Sequence, residues 1–177
     1  MPGPTFIAGE TVELRTLEDE DADVLQQIVN DPRVRRGLAV DRPVSAAAER
    51  EWIETVRDEE GVQLAICVED VLVGTIGFDV REDVSRTGEV GYLLRPEAWD
   101  SGYATDALET IVRYAFEEFG LAKLVAQAYA TNPASQRVLE KVGFVEEGVH
   151  RAEALVDGER VDVHYFGLLC AEHTGSA

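Results

Sequence analysis

The period of the apolar residues changes along the chain from two to that of a helix and back. Val12 and Leu14 alternate with Glu13 and Arg15, a pattern typical of a half-buried strand over 11–17. The same alternation, or a β-branched run bounded by turn residues, predicts further strands at 62–68, 71–80, 89–94, 124–129, 144–151 and 161–169. Apolar residues at helical spacing predict helices near 18–30, 46–58, 104–119 and 132–142.

Turn-forming residues divide these elements. Asn30–Pro32 is expected to end the first helix, and a polar stretch then leads to the second. The resulting order, βααβββαβαββ, predicts an α+β fold in which a mixed, mostly antiparallel central sheet is flanked by helices. A single domain is expected over 1–177, with loosely ordered ends at 1–10 and 171–177.

The composition agrees with one self-folding domain and adds an unusual charge. The chain has 177 residues, of which 45% are hydrophobic and 29% are charged, enough apolar material for a packed interior. With 16 basic and 35 acidic residues, the net charge is −19, which disfavours a broad nucleic-acid-binding face. Such acidity is typical of adaptation to high salt, where repulsion among surface carboxylates is screened. An acidic partner surface, or the steering of a substrate, is the alternative.

Signals for membranes, secretion, disulfides and metals are missing from the chain. No stretch has the length and apolarity of a membrane span, and the N-terminus lacks the features of a secretory leader, so a cytoplasmic protein is expected. Cys67 and Cys170 lie in apolar runs without Cys-x-x-Cys spacing, which predicts small buried side chains. His150, His164 and His173 do not have the spacing of ligands on a helix, so no metal site is expected.

The segment 94–105 leaves a predicted strand through Pro96, turns at Gly102 and enters the longest predicted helix. Such a turn exposes backbone N–H groups at a helix N-terminus, where the donors and the helix dipole together bind phosphate. An acidic chain needs a local attraction of this kind to hold an anion. The alternative is that Gly102 only permits a tight turn and that the helix end is hydrated.

A second segment, Asn132–Phe144, has the residues that favour a short helix. Asn132 suits the N-cap, Pro133 the first helical position and Gly143 the residue after the last turn. Because any short helix prefers these residues, the pattern by itself indicates no chemistry.

Taken together, the two segments resemble the acetyl-coenzyme A (acetyl-CoA) signature of the GNAT superfamily of N-acetyltransferases. Trp99–Ala104 lies where that family has Gln/Arg-x-x-Gly-x-Gly/Ala, and the spacing from Asn132 to Phe144 is that of its second cofactor helix. The predicted element order matches the fold over nearly the whole chain. The sequences of 102–105, 132–135 and the last predicted strand are most similar to those of the RimJ/RimL branch, which acetylates ribosomal-protein N-termini.

The resemblance implies a set of cofactor-binding residues. Backbone groups of Tyr92 and Leu94 are expected to pair with the pantetheine arm as an added strand would. Asn132 is expected to bind the cofactor near its amide or thioester end, and Arg137 to reach a phosphate. The pyrophosphate is expected on the backbone N–H groups of Asp100, Ser101, Gly102, Tyr103, Ala104 and Thr105.

The sequence departs from the family pattern at two positions. Trp99 stands where the family has Gln or Arg, so a polar side-chain contact from that position is lost while the backbone turn remains. Many relatives have a tyrosine acid seven residues after the Asn, where this chain has Leu139. Ser135 then becomes the candidate for stabilising or protonating the departing thiolate, although a serine is also common in a first helical turn.

The implied reaction is direct transfer, in which a neutral amine attacks the thioester carbonyl. An amine of pKa about 8 to 10 is mostly protonated at neutral pH, so a base or a water chain must remove a proton. Glu89 is the predicted base because its strand would run beside the thioester, and Glu153 is the reserve. An N–H group of the 89–94 strand would stabilise the oxyanion.

The acceptor is open, because fold alone does not name a substrate. The resemblance favours a protein or peptide N-terminal α-amine, and a small cationic amine such as a polyamine or aminoglycoside is the alternative, since acidic walls attract cations. Two rival functions are a non-catalytic CoA-binding module and a nucleotide-phosphate-binding domain, the latter without the Gly-x-x-x-x-Gly-Lys motif. A homodimer formed through an exposed strand is possible.

Overall fold

The β-branched and alternating segments form eight strands in the computed structural model, which describes residues 2–38 and 40–173. The strands are β1 (Thr5–Ala8), β2 (Glu13–Thr16), β3 (Gly61–Val68), β4 (Val71–Val80), β5 (Thr87–Leu94), β6 (Lys123–Tyr129), β7 (Val145–Val156) and β8 (Glu159–Leu169). Five α-helices lie within the same ranges: α1 (Ala22–Asn30), α2 (Pro32–Leu38), α3 (Ala46–Asp58), α4 (Tyr103–Tyr114) and α5 (Pro133–Val142).

All the strands belong to one sheet of order β1-β2-β3-β4-β5-β6-β8-β7. Neighbouring strands are antiparallel except β5 and β6, which are parallel and pair only over Thr87–Glu89 and Lys123–Val125. Beyond these pairs the two strands separate. We call the gap between 90–94 of β5 and 126–129 of β6 the β5–β6 opening. Because the opening leaves edges of two strands unpaired inside the sheet, it is a candidate place for a ligand.

Helices cover both faces of the sheet. On one face α4 and α5 bury Leu108, Ile111 and Leu139 in the larger core. On the other, α1 and α3 bury Leu25 and Ile53 in a second core. Full burial of one such aliphatic side chain stabilises the fold by about 1.5–3 kcal/mol. The two sides are called below the α4/α5 face and the α1/α3 face.

The predicted fold class is confirmed, and the structure adds one strand near the N-terminus. Residues 1–10 are expected from the sequence to be loosely ordered, but Thr5–Ala8 forms β1, which pairs with β2. The strand is held because the β1–β2 turn is tied to α4, where the Asp106 carboxylate accepts hydrogen bonds from the N–H groups of Glu10, Thr11 and Val12. At the other end, 174–177 lie outside the described residues.

A second addition is α2, where the sequence predicts only a polar stretch. Asp31 and Pro32 end α1 and also begin α2. Asp31 Oδ1 accepts from Arg33 N at 2.8 Å, and Pro32 occupies the first helical position, which needs no N–H donor. A signal that stops one helix therefore starts the next.

The two strands of the last hairpin extend further toward each other than predicted. They leave only the tight turn at Asp157 and Gly158 between β7 and β8. Both residues have positive φ, 50° and 80°, which suits the right-handed twist of the flanking strands. None of the helices in 2–38 and 40–173 combines the length and apolarity needed to cross a membrane.

Candidate functional site

The edge of β5 that faces the β5–β6 opening carries peptide groups that β6 does not cover. Arg95 N donates to Val73 O of β4 at 2.8 Å, and successive residues of a strand direct their peptide groups to opposite edges. The peptide groups of Leu94 and Tyr92 therefore face the opening, beyond the last β5–β6 pair. These are the two residues expected from the sequence to receive a ligand as an added strand.

Trp99 turns its side chain back onto the end of β5. Its indole Nε1–H donates to Leu94 O at 3.0 Å, which satisfies the last carbonyl of the strand. The tryptophan that replaces the family's Gln or Arg thus makes a hydrogen bond within the chain, which fixes the segment between β5 and the turn before α4. The N–H of Leu94 and the peptide groups of Tyr92 are left for a ligand.

The turn before α4 presents a row of N–H donors. Gly102 is the N-cap residue with φ 80° and ψ 0°, and Asp100 also has a positive φ of 56°. Among the residues that the structure describes, no acceptor is found for the backbone N–H groups from Asp100 to Thr105. A Cβ placed on Gly102 would meet no atom within 4 Å. The donors therefore face open space at the positive end of a long helix, as anion binding requires.

A shallow depression beside this turn brings α4, α5 and the β1–β2 turn together. Ser101, Gly102 and Thr105 line it, and Lys141 of α5 is its single cation among the described lining residues. Lys141 has no assigned role in the sequence, because a lysine in the last turn of a helix is common for reasons of helix stability alone. It lies beside the N–H donors, and the acidic residues Glu10, Asp106 and Glu109 line the same depression.

Asp106 fixes the position of this end of α4. Burial acts to raise the pKa of the Asp106 carboxyl, but hydrogen bonds from the N–H groups of Glu10, Thr11 and Val12 and from the Thr11 hydroxyl outweigh it, so the pKa is lowered. The charged form of Asp106 is therefore the form that the fold stabilises.

The start of α5 lies against the α4/α5 side of the opening. Asn132 Oδ1 accepts from Ser135 N at 3.2 Å as the helix cap, so the amide oxygen is used within the helix. Its Nδ2 points toward α2, where a Cβ on Gly37 would lie 3.0 Å away. The nitrogen end of the Asn132 amide is thus the end left to meet a ligand.

Ser135 contacts a residue that the sequence indicates only for its backbone. The Tyr92 hydroxyl lies 2.8 Å from Ser135 Oγ, and either group can donate. Burial raises the pKa of the Tyr92 phenol, while the hydrogen bond with Ser135 acts to lower it. This pair of hydroxyls joins β5 to the first turn of α5.

Arg137 lies on the exposed side of α5. Within the described part of the chain it has no carboxylate partner among the ion pairs, which include Arg15, Arg33, Arg36, Arg50 and Arg57. Without an ion pair among the described residues, this guanidinium is available for a phosphate.

Glu89 approaches the opening from the other face. Tyr92 packs against the core of the α4/α5 face and Leu93 against that of the α1/α3 face. Because side chains alternate along a strand, Glu89 shares the α1/α3 face with Leu93. Its Oε1 accepts from Gln127 Nε2 at 2.9 Å, so the carboxylate is held across the point at which β5 and β6 separate.

A second polar group continues from Gln127 toward the β7–β8 hairpin. Tyr165 lies opposite Gln127 in the β6–β8 ladder and donates its hydroxyl to Glu153 Oε2. His150 Nδ1 lies 2.9 Å from Glu153 Oε1, and its ring stacks on Tyr165 with centroids 4.0 Å apart. Glu89, Gln127, Tyr165, Glu153 and His150 form what we call the acceptor row.

The hydrogen bonds of this row distinguish the two candidate bases. Those from Tyr165 and His150 lower the pKa of Glu153, and Glu153 in turn raises the pKa of Tyr165 to about 12. A carboxylate held by two donors is a weaker base than a freer one. Glu89 has one amide donor, Gln127, at the point where β5 and β6 separate.

Helix α2 bridges the two ends of this region. Arg33 pairs with Glu97 before the Gly102 turn at 3.3 Å, and Arg36 pairs with Asp157 of the β7–β8 turn at 2.9 Å. Both pairs are exposed, so each contributes little to stability. Helix α2 itself packs Val34 into the α1/α3 core.

The remaining cysteine and metal expectations concern residues outside this arrangement. Cys67 is buried, and burial raises the pKa of its thiol to about 11, which suits a core residue rather than a nucleophile. Cys170, also expected to be buried, is exposed because the chain turns into a short 3₁₀ helix there. In the described ranges no three His, Cys, Asp or Glu side chains gather to hold a metal ion.

Comparison with known proteins identifies the family to which this sequence is similar. Residues 11–145 match the family model of the acetyltransferase (GNAT) domain. The chain is 30% identical over 172 residues to the uncharacterized N-acetyltransferase p20 of Bacillus licheniformis, covering 94% of this chain and 97% of the relative. It is 25% identical over 172 residues to the ribosomal-protein-serine acetyltransferase of Escherichia coli, covering 93% and 96%.

A solved structure agrees in fold. The spermidine N-acetyltransferase of Vibrio cholerae in complex with CoA and spermine superposes with a TM-score of 0.85 at 21% identity, covering 92% of this chain and 97% of that one. The family expected from the motifs is confirmed, and the ribosomal-protein relative agrees with the expected branch.

Proposed function

Because the chain belongs to the GNAT family of acetyltransferases, and is an acetyl-CoA-dependent N-acetyltransferase, we propose that its acceptor is the N-terminal α-amine of a protein or peptide. One observation carries the mechanism. The hydroxyl pair of Tyr92 and Ser135 and the carboxylate of Glu89 approach the β5–β6 opening from opposite faces of the sheet. A thioester in the opening would therefore have its leaving sulfur toward the hydroxyls and its carbonyl accessible to an amine on the Glu89 side.

The cofactor side of the opening fits acetyl-CoA, which supplies a thioester as the activated acetyl group. The free β5 edge at Tyr92 and Leu94 would hold the pantetheine amides, and the N–H groups of 100–105 would hold the pyrophosphate. Lys141 and Arg137 would add positive charge near the phosphates. The Nδ2 of Asn132 would donate to a carbonyl near the thioester end.

Glu89 is proposed as the general base. Its carboxylate would take a proton from the bound ammonium, directly or through one water, so that the neutral amine attacks. Gln127 holds the carboxylate at the separation of β5 and β6. A peptide N–H of the 89–94 strand would stabilise the oxyanion, and Ser135 would donate to the departing sulfur.

A small cationic amine is the second candidate acceptor, supported by the acidity of the chain. The net charge of −19 and the carboxylates of Glu89 and Glu153 on the acceptor side would attract a polyamine. Specificity then depends on whether α2 and the β7–β8 hairpin accept a peptide backbone or only a flexible chain.

The experiment has two stages. Calorimetric titration of acetyl-CoA into the protein tests the cofactor, with competition by ATP as the control for a general phosphate site; we expect binding in the micromolar range, about −8 kcal/mol, unaffected by ATP. Thiol release is then followed with N-terminal peptides, the same peptides with blocked N-termini, and spermidine.

Turnover of the free peptides alone supports the proposal, and turnover of spermidine alone supports the second candidate. Binding without thiol release for any amine would favour the non-catalytic CoA-binding module. Loss of acetyl-CoA binding in the presence of ATP would favour a nucleotide-phosphate site.

A further inference from the structure

Ser135 is held from two sides. Its backbone N–H donates to Asn132 Oδ1 at 3.2 Å, which fixes the first turn of α5. Its hydroxyl lies 2.8 Å from the Tyr92 hydroxyl, and the same Tyr92 hydroxyl lies 3.4 Å from Ser135 O. The position of the serine side chain is thus determined by a cap on its own helix and by a phenol from β5, 43 residues away in sequence.

We propose that Tyr92 is a positioning residue for the transfer: its phenol donates to Ser135 Oγ and directs the serine's own hydroxyl hydrogen toward the leaving sulfur. The inference rests on the proposed function, because it concerns the same opening. It assigns a role to a side chain that the motif carries only for its backbone, and it accounts for the missing hydroxyl at Leu139.

The direction of the hydrogen bond follows from the two available acceptors. If Ser135 donated to Tyr92, the phenol hydrogen would be left with Ser135 O at 3.4 Å, a long contact for a hydroxyl donor. If Tyr92 donates to Ser135 Oγ at 2.8 Å, the phenol makes the shorter bond and the serine hydrogen is free for a ligand. The burial that raises the pKa of Tyr92 keeps the phenol protonated, as a donor must be.

The transfer balances without a proton leaving either hydroxyl. The acceptor nitrogen bonds to the acetyl carbonyl carbon, the carbon–sulfur bond breaks, and its electron pair remains on sulfur. Glu89 takes the first proton from the bound ammonium and passes it to solvent before the attack, and it then takes the second proton from the nitrogen once the nitrogen–carbon bond has formed. Ser135 donates a hydrogen bond to the sulfur anion, and the bond from Tyr92 polarises that hydroxyl, since hydrogen bonds in a chain strengthen one another. The thiolate is protonated by solvent after release.

The test uses the full chain and CoA itself, so that it does not depend on knowing the acceptor. The ionisation of the CoA thiol is followed by the ultraviolet absorbance of the thiolate, free and bound, across pH. The variants are Tyr92→Phe, Ser135→Ala and the double variant. Tyr114→Phe is the matched control, because Tyr114 is another tyrosine of the core whose pKa is raised by burial.

In the wild type, we expect the bound thiol to ionise at lower pH than free CoA. Tyr92→Phe should reduce the thiol ionisation constant by up to about tenfold, which is the full loss expected for the one hydrogen bond that Ser135 makes to the charged sulfur. Ser135→Ala should reduce it at least as much, and Tyr92→Phe should add nothing in the Ser135→Ala background. With an amine that is turned over, kcat should fall with KM for acetyl-CoA little changed.

Three results would overturn the inference. One is an unchanged thiol ionisation in Tyr92→Phe when Ser135→Ala alters it. Another is an additive effect of the two substitutions, since Tyr92 would then act independently of Ser135. The third is an equal change in Tyr114→Phe. Heat unfolding of each variant separates these results from a loss of structure.

Failure of the proposed function has a different signature. A wild-type protein that does not bind CoA removes both proposals. A wild-type protein that binds CoA and releases thiol with an amine, but responds to Tyr92→Phe as to the control, removes only the role of Tyr92.

Discussion

The two sides of the β5–β6 opening are built from different materials. The proposed cofactor side has main-chain groups of β5 and of the Gly102 turn, together with the partly buried hydroxyls of Tyr92 and Ser135. The acceptor side uses long polar side chains of the acceptor row, most of them exposed, and a helix held by surface ion pairs. Main-chain geometry tolerates a changed side chain, as Trp99 shows. A site made of exposed side chains can change its specificity with a few substitutions.

The largest effect is expected for Glu89→Gln. Removal of a general base lowers kcat by about 10²–10⁴-fold. The loss should be greatest at low pH and smaller at high pH, where more of the amine is already neutral. The pH–rate profile of the variant is the measurement, with Asp79→Asn as the control, because Asp79 is the β4 partner of Glu89 in the ladder. A profile unchanged in shape would transfer the role to Glu153 or to water.

Gly102→Val should next separate the cofactor side from the acceptor side. The valine side chain would enter the open space before the N–H donors, and its φ of 80° is strained for any residue with a Cβ. We expect acetyl-CoA affinity to fall by at least about tenfold. Gly158→Val is the matched control, with the same φ and open surroundings in the β7–β8 turn.

Both glycine variants should lose similar stability. If Gly158→Val weakened acetyl-CoA binding as much as Gly102→Val, the assignment of the pyrophosphate to the Gly102 turn would be wrong. Calorimetric titration on samples of verified fold distinguishes the outcomes.

Asp106→Asn should weaken the frame of the proposed cofactor side. The change removes charged hydrogen bonds to the β1–β2 turn and should cost about 2 kcal/mol in the free energy of unfolding at neutral pH. The pKa of Asp106 is lowered in the folded protein, so its stabilisation is present above the unfolded pKa of about 3.9 and is lost as pH falls through the folded pKa. Denaturant unfolding should show the difference between variant and wild type shrinking in acid, and the exposed Asp23→Asn should show almost none.

The salt concentration should change the stability of the whole molecule and should distinguish least between the two sides of the opening. With a net charge of −19, exposed carboxylates repel one another more strongly as the Debye length grows. Heat unfolding should therefore shift to lower temperature as KCl is reduced from molar concentration. Full stability at about 50 mM salt would contradict adaptation to high salt and favour the use of the charge to attract a substrate.

Much of the fold could be predicted because the spacing of apolar residues within single segments indicates the type of each element. In α4 and in β3 to β6 the apolar residues recur at helical or strand spacing, and the Gly102 turn has a recognisable sequence motif. Two elements, α2 and β1, were not predicted from the sequence, each for a different reason. Asp31 and Pro32 end one helix and begin another, and the four residues of β1 are held by contacts distant in sequence, among them the pairing with β2 and the edge contact of Phe6 with Tyr114 of α4.

The sequence by itself determined the order of the elements apart from β1 and α2, the turn that presents N–H donors, and the family, because these depend on residues close together along the chain. Only the tertiary structure decided that Tyr92 meets Ser135, that Gln127 holds Glu89, and that Trp99 closes the end of β5. The first two contacts join residues 43 and 38 positions apart. They depend on where β5 and β6 separate, and that separation is a property of the assembled sheet rather than of either strand.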